Sequence, residues 1–229
     1  MLLLGLGAPA AAQEPVDLEL LLLADATSSI DDVEHAMQRR GYAAALSDPA
    51  VIRAIETGGA LGRIAVAYVE WAGARRQKVV VDWTVIDGEA AALDFAERLV
   101  AAPRMVRGVN AIGAALIRGL ALIEENDFDG ARRVIDLSGD SAWNPRRPTL
   151  AEARVAADAA GVGINGLAVL CDDCSGRQGA GNLEAQFTDE LITGPGAFVV
   201  TADGREAFAG AVRRKLVLEI AGVEPASSR

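Results

Sequence analysis

Leu18-Glu19-Leu20-Leu21-Leu22-Leu23-Ala24, followed at once by Asp25-Ala26-Thr27-Ser28-Ser29, decides how the whole chain is read. A short apolar run that stops at a polar turn is the pattern of a strand buried on both faces, as in parallel sheets. The turn places a carboxylate and two hydroxyls at alternate positions, on Asp25, Thr27 and Ser29. Open α/β sheets bind ligands outside the carboxyl ends of their strands, so these oxygens stand where a ligand is expected. Small hard oxygen donors suit Mg²⁺, Mn²⁺ or Ca²⁺ rather than zinc. A helix is expected from Asp31 to Leu46, with Val33, Met37, Ala44 and Ala45 toward the core and Ser29 with Asp32 as a capping box. Taken alone, Asp25, Thr27 and Ser29 also fit a strand-end turn and a helix cap with no ligand.

Working outward, Ile64 to Trp71 and Lys78 to Ile86 read as strands. The loop between them is too short for a crossover helix, so they are expected to pair antiparallel. Helices are expected at Glu89–Ala101, Ala111–Glu124, Thr149–Ala160 and Asp203–Ala221, the last with Phe208, Val212, Leu216 and Ile220 on one face. Strands are expected at Arg133–Leu137, Ile164–Leu170 and Ala197–Thr201. Strands alternating with helices imply an α/β fold of three layers: a mostly parallel sheet with one antiparallel edge strand, and helices on both faces.

The chain has 229 residues, enough for one well-packed domain and few for two. Its net charge of −10 argues against a nucleic-acid surface or a polybasic membrane patch. Residues 1–12, with the apolar Leu2–Leu6 core and Ala10-Ala11-Ala12 before Gln13, read as a secretory signal peptide, though without a basic leading region. The expectation is an exported, periplasmic or extracellular domain over 13–222 with a flexible tail at 223–229. No later run approaches the roughly 20 apolar residues of a membrane span. The cysteines, Cys171 and Cys174, form a near pair, which in an exported protein is most simply a local disulfide. A redox-active pair is the alternative, disfavoured because Asp172 and Asp173 discourage thiolate formation.

Two further strand-to-helix junctions carry polar groups. Asn110 precedes the helix at Ala111, at an expected N-cap position, and Asp140 follows the strand that begins near Arg133, beside Gly139. Loops that end on one edge of a parallel sheet can converge, so Asp25, Thr27, Ser29, Asn110 and Asp140 are the candidate cation ligands. Asp136, inside that strand, reads as a polar group at the edge of the site and not as a ligand. Trp143 follows Asp140 and is a candidate partner contact, or else a loop anchor. Trp71 and Trp83 read as packing residues. His35 reads as a surface or boundary residue. No Gly-x-Ser-x-Gly is present, and no Gly-x-Gly-x-x-Gly follows the first strand.

This arrangement resembles the metal-ion-dependent adhesion site of von Willebrand factor type A domains, an Asp-x-Ser-x-Ser loop with a Thr and an Asp from later loops. Asp25 and Ser29 match the motif, Thr27 stands at the first Ser, Asn110 at the Thr and Asp140 at the last Asp. Gly41 to Leu46, Arg63 to Trp71, Arg132 to Asp140, Ile164 to Leu167, Gly194 to Val200 and Arg214 to Val217 are similar to one bacterial branch of these domains, catalogued only as a domain of unknown function. The resemblance spans nearly all of the expected domain and implies its fold. It also implies a divalent cation, Mg²⁺ or else Mn²⁺ or Ca²⁺, whose open positions accept a carboxylate from a protein partner. Thr27 keeps a ligating hydroxyl; the Asn110 amide reaches further and with different geometry than Thr. The resulting expectation is a non-enzymatic, metal-dependent protein-binding module. The alternatives are a scaffold of the same fold with a degenerate, metal-free site, and an enzyme acting through Cys171 and Cys174 or as a metal-assisted hydrolase.

Overall fold

The computed structural model describes residues 12–170 and 182–222, and Cys171, Cys174, residues 1–11 and residues 223–229 lie outside it. In chain order the elements are β1 (Glu14–Val16), β2 (Leu18–Asp25), α1 (Asp32–Leu46), α2 (Pro49–Thr57), β3 (Ile64–Ala72), β4 (Arg76–Ile86), α3 (Glu89–Ala101) and α4 (Ile112–Glu124). There follow β5 (Phe128–Gly130), β6 (Arg133–Gly139), α5 (Leu150–Ala160), β7 (Gly163–Leu170), α6 (Leu183–Gln186, continued by a π-turn over Phe187–Leu191), β8 (Val199–Asp203) and α7 (Gly204–Ala221).

The opening apolar run is the centre of the molecule. β2 is buried along its full length, with Leu20 and Leu22 in one core and Leu21 and Leu23 in the other. Each of these leucines contributes about 2 kcal/mol by leaving water. The first core is closed by Tyr42 of α1, Val51 of α2, Phe95 of α3 and Phe208 of α7. The second is closed by Leu116 of α4, Ala153 of α5 and Leu183 of α6. The main sheet runs β4-β3-β2-β6-β7-β8, parallel throughout except for β4, which pairs antiparallel with β3 at the edge. The chain leaves β2 for β3 on one side and later returns as β6 on the other, so the topological switch point lies between the carboxyl ends of β2 and β6.

The expected strands and long helices are all present, with ends shifted by a few residues. Helix α2 was not expected; its signal is Ser47-Asp48-Pro49, where Asp48 accepts from the Ala50 amide and Pro49 opens the first turn. The parallel pair β1–β5 was not expected either. It is steadied by the buried Glu19 carboxylate, which accepts from the Asn126 side chain at 2.6 Å and the Gly130 amide at 2.8 Å.

Helix α1 departs most from its expected face. Val33 is 66% exposed and Ala44 is also exposed, while His35, Gln38 and Arg39 are buried. The cause is Glu70, a carboxylate on β3 with no exposure. His35 Nε2 lies 2.5 Å from Glu70 Oε1, Arg39 donates to the same oxygen through Nε at 3.0 Å, and the Met105 amide donates to Oε2 at 2.7 Å. Burial raises the Glu70 pKa, but these bonds outweigh it and hold the carboxyl below its usual range. A helix facing a buried acid turns its polar residues inward, so His35 is a core residue and not a surface one. The cap also differs: Asp31, not Ser29, accepts from the Glu34 amide at 2.7 Å, which leaves the Ser29 hydroxyl free for the strand-end loop.

Candidate metal centre

The five candidate ligands come from three loops at the switch point. Asp25 ends β2 and is buried. Its Oδ1 accepts from the Thr27 amide at 2.8 Å, which folds the chain back in an Asx turn. That turn brings Thr27 Oγ1 within 2.9 Å of Ser29 Oγ, so the two hydroxyls point to a shared space. Asp25 Oδ2 is buried with no aligned hydrogen bond among the described residues. A Cβ on Gly139 would lie 3.4 Å from this oxygen, so the glycine at the end of β6 leaves room beside it. Asp140, half-buried, follows that glycine.

Burial pushes the Asp25 carboxyl up, the charge of Asp140 adds to the shift, and the Thr27 and Asp140 amides oppose it, giving a value of about 8. Asp25 and Asp140 are thus close enough to repel, and a cation between them removes the conflict. Two carboxylates and two hydroxyls make an all-oxygen donor set, which suits a hard divalent ion. Among the described residues no group of three or more His, Cys, Asp or Glu gathers to hold a metal, so any site here depends on the hydroxyls.

Asn110 is less directly placed. It is buried one residue before Ala111, which caps α4 without a side-chain bond, so Asn110 is not the N-cap. Its loop is tied to the site through the Ser28 amide, which donates to the Gly108 carbonyl at 2.8 Å. Among the described residues Asn110 makes no hydrogen bond to Asp25, Thr27 or Ser29. Asp136, expected at the site edge, is wholly buried on the opposite side of β6 from Ile135 and Leu137, and is engaged by Lys215.

Arg104 was not anticipated and organises the site. Its guanidinium donates to the carbonyls of Ala26 at 2.9 Å, Thr27 at 3.0 Å and Ile30 at 3.0 Å. It also meets Asp32 at 3.2 Å, which joins the loop before α4 to the start of α1. Nothing near Arg104 in the sequence marks it. Glu34 was missed as well: it is buried on α1, and its carboxyl is raised by burial and further by Asp140 against the pull of Arg205. Trp143 is 58% exposed on the β6–α5 loop. Asn144 fixes that loop by accepting from the Gly113 amide at 3.3 Å and donating to the Pro148 carbonyl at 2.9 Å. Val33, Met105 and Val109 are also exposed on the α1 start and the loop before α4. Trp71 is fully buried and Trp83 donates to the Leu122 carbonyl at 3.2 Å, both as packing residues.

The sheet order, the antiparallel edge and the loop at the switch point define a von Willebrand factor A-type fold. Solved structures agree. The pilus adhesin SpaC from Lactobacillus rhamnosus GG, in its open conformation, superposes with a TM-score of 0.63 at 13% identity, over 91% of this chain and 30% of the adhesin. Proximal thread matrix protein 1 from the mussel byssus, in a structure with zinc in its metal-ion-dependent adhesion motif, gives 0.61 at 15% identity, over 92% of this chain and 47% of that protein. The SpRpn10 von Willebrand factor A domain gives 0.58 at 10% identity, over 93% and 100% of the two chains. The chain therefore spans less than half of the adhesin and of the byssus protein. No curated protein matches it. Residues 15–224 match the family described as protein of unknown function DUF1194, and the chain belongs to that family.

Proposed function

We propose that this chain is an exported, non-enzymatic protein-binding module whose switch-point loop takes a divalent cation and, through it, a carboxylate of a partner protein. The observation that carries the reading is Asp25 Oδ2, a buried carboxylate oxygen without an aligned hydrogen bond among the described residues, set beside a paired Thr27–Ser29 hydroxyl and the charge of Asp140. An orphaned buried carboxylate oxygen is costly, and a cation offsets that cost. Asp25, Thr27, Ser29 and Asp140 are the ligands, with Asn110 at the margin. Mg²⁺ is the first candidate, with Mn²⁺ and Ca²⁺ as the other hard ions. The zinc held by the byssus protein supports divalent occupancy of such a loop in a relative of the same fold. Exposed Trp143, Val33 and Val109 supply an apolar rim for the partner. The Cys171–Cys174 pair is a local disulfide in this reading, and no helix among the described residues is long and apolar enough to cross a membrane. Pull-down from an envelope extract with and without chelator tests it: a partner held only when metal is present supports the module, and identical capture in chelator removes metal dependence.

A second reading is favoured by the raised pKa of Asp25. A proton on that carboxyl satisfies the site without metal at neutral pH. The chain is then a scaffold whose adhesion site has closed, and its melting temperature is the same with Mg²⁺ as with chelator.

A further inference from the structure

Helix α7 is fastened to the sheet by charges rather than by apolar contact alone. Lys215 and Glu219 lie one turn apart on its buried face, and Asp136 projects from β6 toward them; Lys215 and Asp136 have no exposure and Glu219 almost none. The Lys215 ammonium stands 2.8 Å from Asp136 Oδ1 and also contacts Glu219 Oε1. The Phe198 ring also faces it, with Nζ 5.4 Å from the centroid. Glu219 Oε1 further accepts from the Asn165 side chain at 3.0 Å. Glu219 Oε2 is buried without a hydrogen-bond partner, and neither Asp136 oxygen has an aligned hydrogen bond among the described residues.

Two carboxylates therefore share one ammonium, and with all three ionised the cluster carries one uncompensated buried negative charge. The other groups facing it do not cancel that charge. Tyr42 of α1 is neutral, its hydroxyl pushed well above its usual range by burial and by Asp136. Ser138 of β6 is neutral. Arg132, which donates to the Glu219 and Ile220 carbonyls at 2.6 and 2.7 Å, feels the charge of Glu219 but is shared with Asp17, so it offsets the cluster only in part. A cavity of about 280 Å³ at the amino-terminal edge of the sheet, lined by Arg132, Asn165, Phe198 and Glu219, lies beside the cluster.

We infer that Asp136, Lys215 and Glu219 form a proton-binding clasp, which holds one proton in mild acid, begins to release it around neutrality, and loosens α7 when the proton leaves. Burial, and then the charge of Asp136, push the Glu219 carboxyl up to about 7, and burial raises Asp136 as well. The folded chain thus holds a proton that the unfolded chain has released. Stability from the clasp is full below about pH 4.5 and is lost as the pH rises through about 7.

The test is urea unfolding of the whole protein between about pH 5 and about pH 8, in an Asp25→Asn background so that Asp25 does not titrate. The expected slope corresponds to about one proton bound on folding, and Glu219→Gln removes it. An unchanged slope in Glu219→Gln overturns the clasp. Should that variant not fold, carboxyl NMR of the Asp25→Asn protein decides: a Glu219 or Asp136 carboxyl titrating near neutrality supports it, and ordinary values for both overturn it. Hydrogen exchange reads the helix itself. Corrected for intrinsic rates, α7 amides are expected to open about tenfold more readily at about pH 8 than at about pH 6 relative to α5. An unchanged ratio overturns the loosening.

Discussion

Asp25 ends β2 and Asp140 follows the end of β6, and the negative charge of Asp140 adds to burial in holding the Asp25 carboxyl up at about 8. The two strands are hydrogen-bonded neighbours, so the sheet enforces the approach of these carboxylates. A repulsion built into the scaffold costs stability unless a counter-ion or a proton relieves it.

Metal-free protein is expected to be most stable in mild acid. The Asp25 pKa is raised in the folded state, so its contribution is complete below about 3.8 and is lost as the pH rises through about 8. Asp25→Asn removes this dependence and stabilises the metal-free protein at neutral pH by on the order of a few kcal/mol. Thermal melting against pH in chelator checks both, and a flat wild-type profile contradicts the raised carboxyl.

Arg104→Lys is expected to weaken Mg²⁺ binding at least tenfold and to cost about 1–3 kcal/mol of stability. The guanidinium serves the Ala26, Thr27 and Ile30 carbonyls together, and an ammonium lacks the planar fork to do so. Calorimetry with urea unfolding separates the two effects. Equal affinity in the variant means that Arg104 does not shape the loop.

Asn110→Thr is expected to tighten Mg²⁺ binding by about tenfold, equivalent to about 1.4 kcal/mol. A hydroxyl there supplies the shorter donor that the amide replaces. Unchanged affinity places residue 110 outside the coordination shell.

Glu70→Ala is expected to cost about 3–5 kcal/mol, because it strands Arg39 and His35 in the core. Urea unfolding measures it, and a loss below about 1 kcal/mol means that the buried network is dispensable. Gly113→Ala is expected to cost about 1–3 kcal/mol for a different reason: its Cβ would fall 2.1 Å from the Pro148 carbonyl oxygen, a backbone atom that cannot swing away.

What could be read in advance follows from which forces are local. The leucines of β2 and the Phe208, Val212, Leu216 stripe of α7 announce their elements because burial on two faces or one writes a period into the sequence. Thr149 with Glu152 announces a cap because the reciprocal bonds span only three residues. The inward face of α1 was not legible, since it answers to Glu70, a carboxylate 35 residues from His35. A charged residue inside the apolar strand Tyr68-Val69-Glu70-Trp71 was the available signal. At the site, Asp25, Thr27 and Ser29 declared themselves by spacing, but Arg104 reaches its carbonyls across 74–78 residues and carries no motif. Asp136 was misplaced for a similar reason: its partners, Lys215 and Glu219, lie on the last helix.

The most direct test is calorimetric titration of the purified protein with Mg²⁺ and Mn²⁺ near neutral pH, beside Asp25→Asn. Saturable binding to the wild type, accompanied by release of the proton on Asp25 and a higher melting temperature, and absent from Asp25→Asn, is the predicted result. No binding heat and no thermal shift in either protein would contradict a cation site at the end of β2.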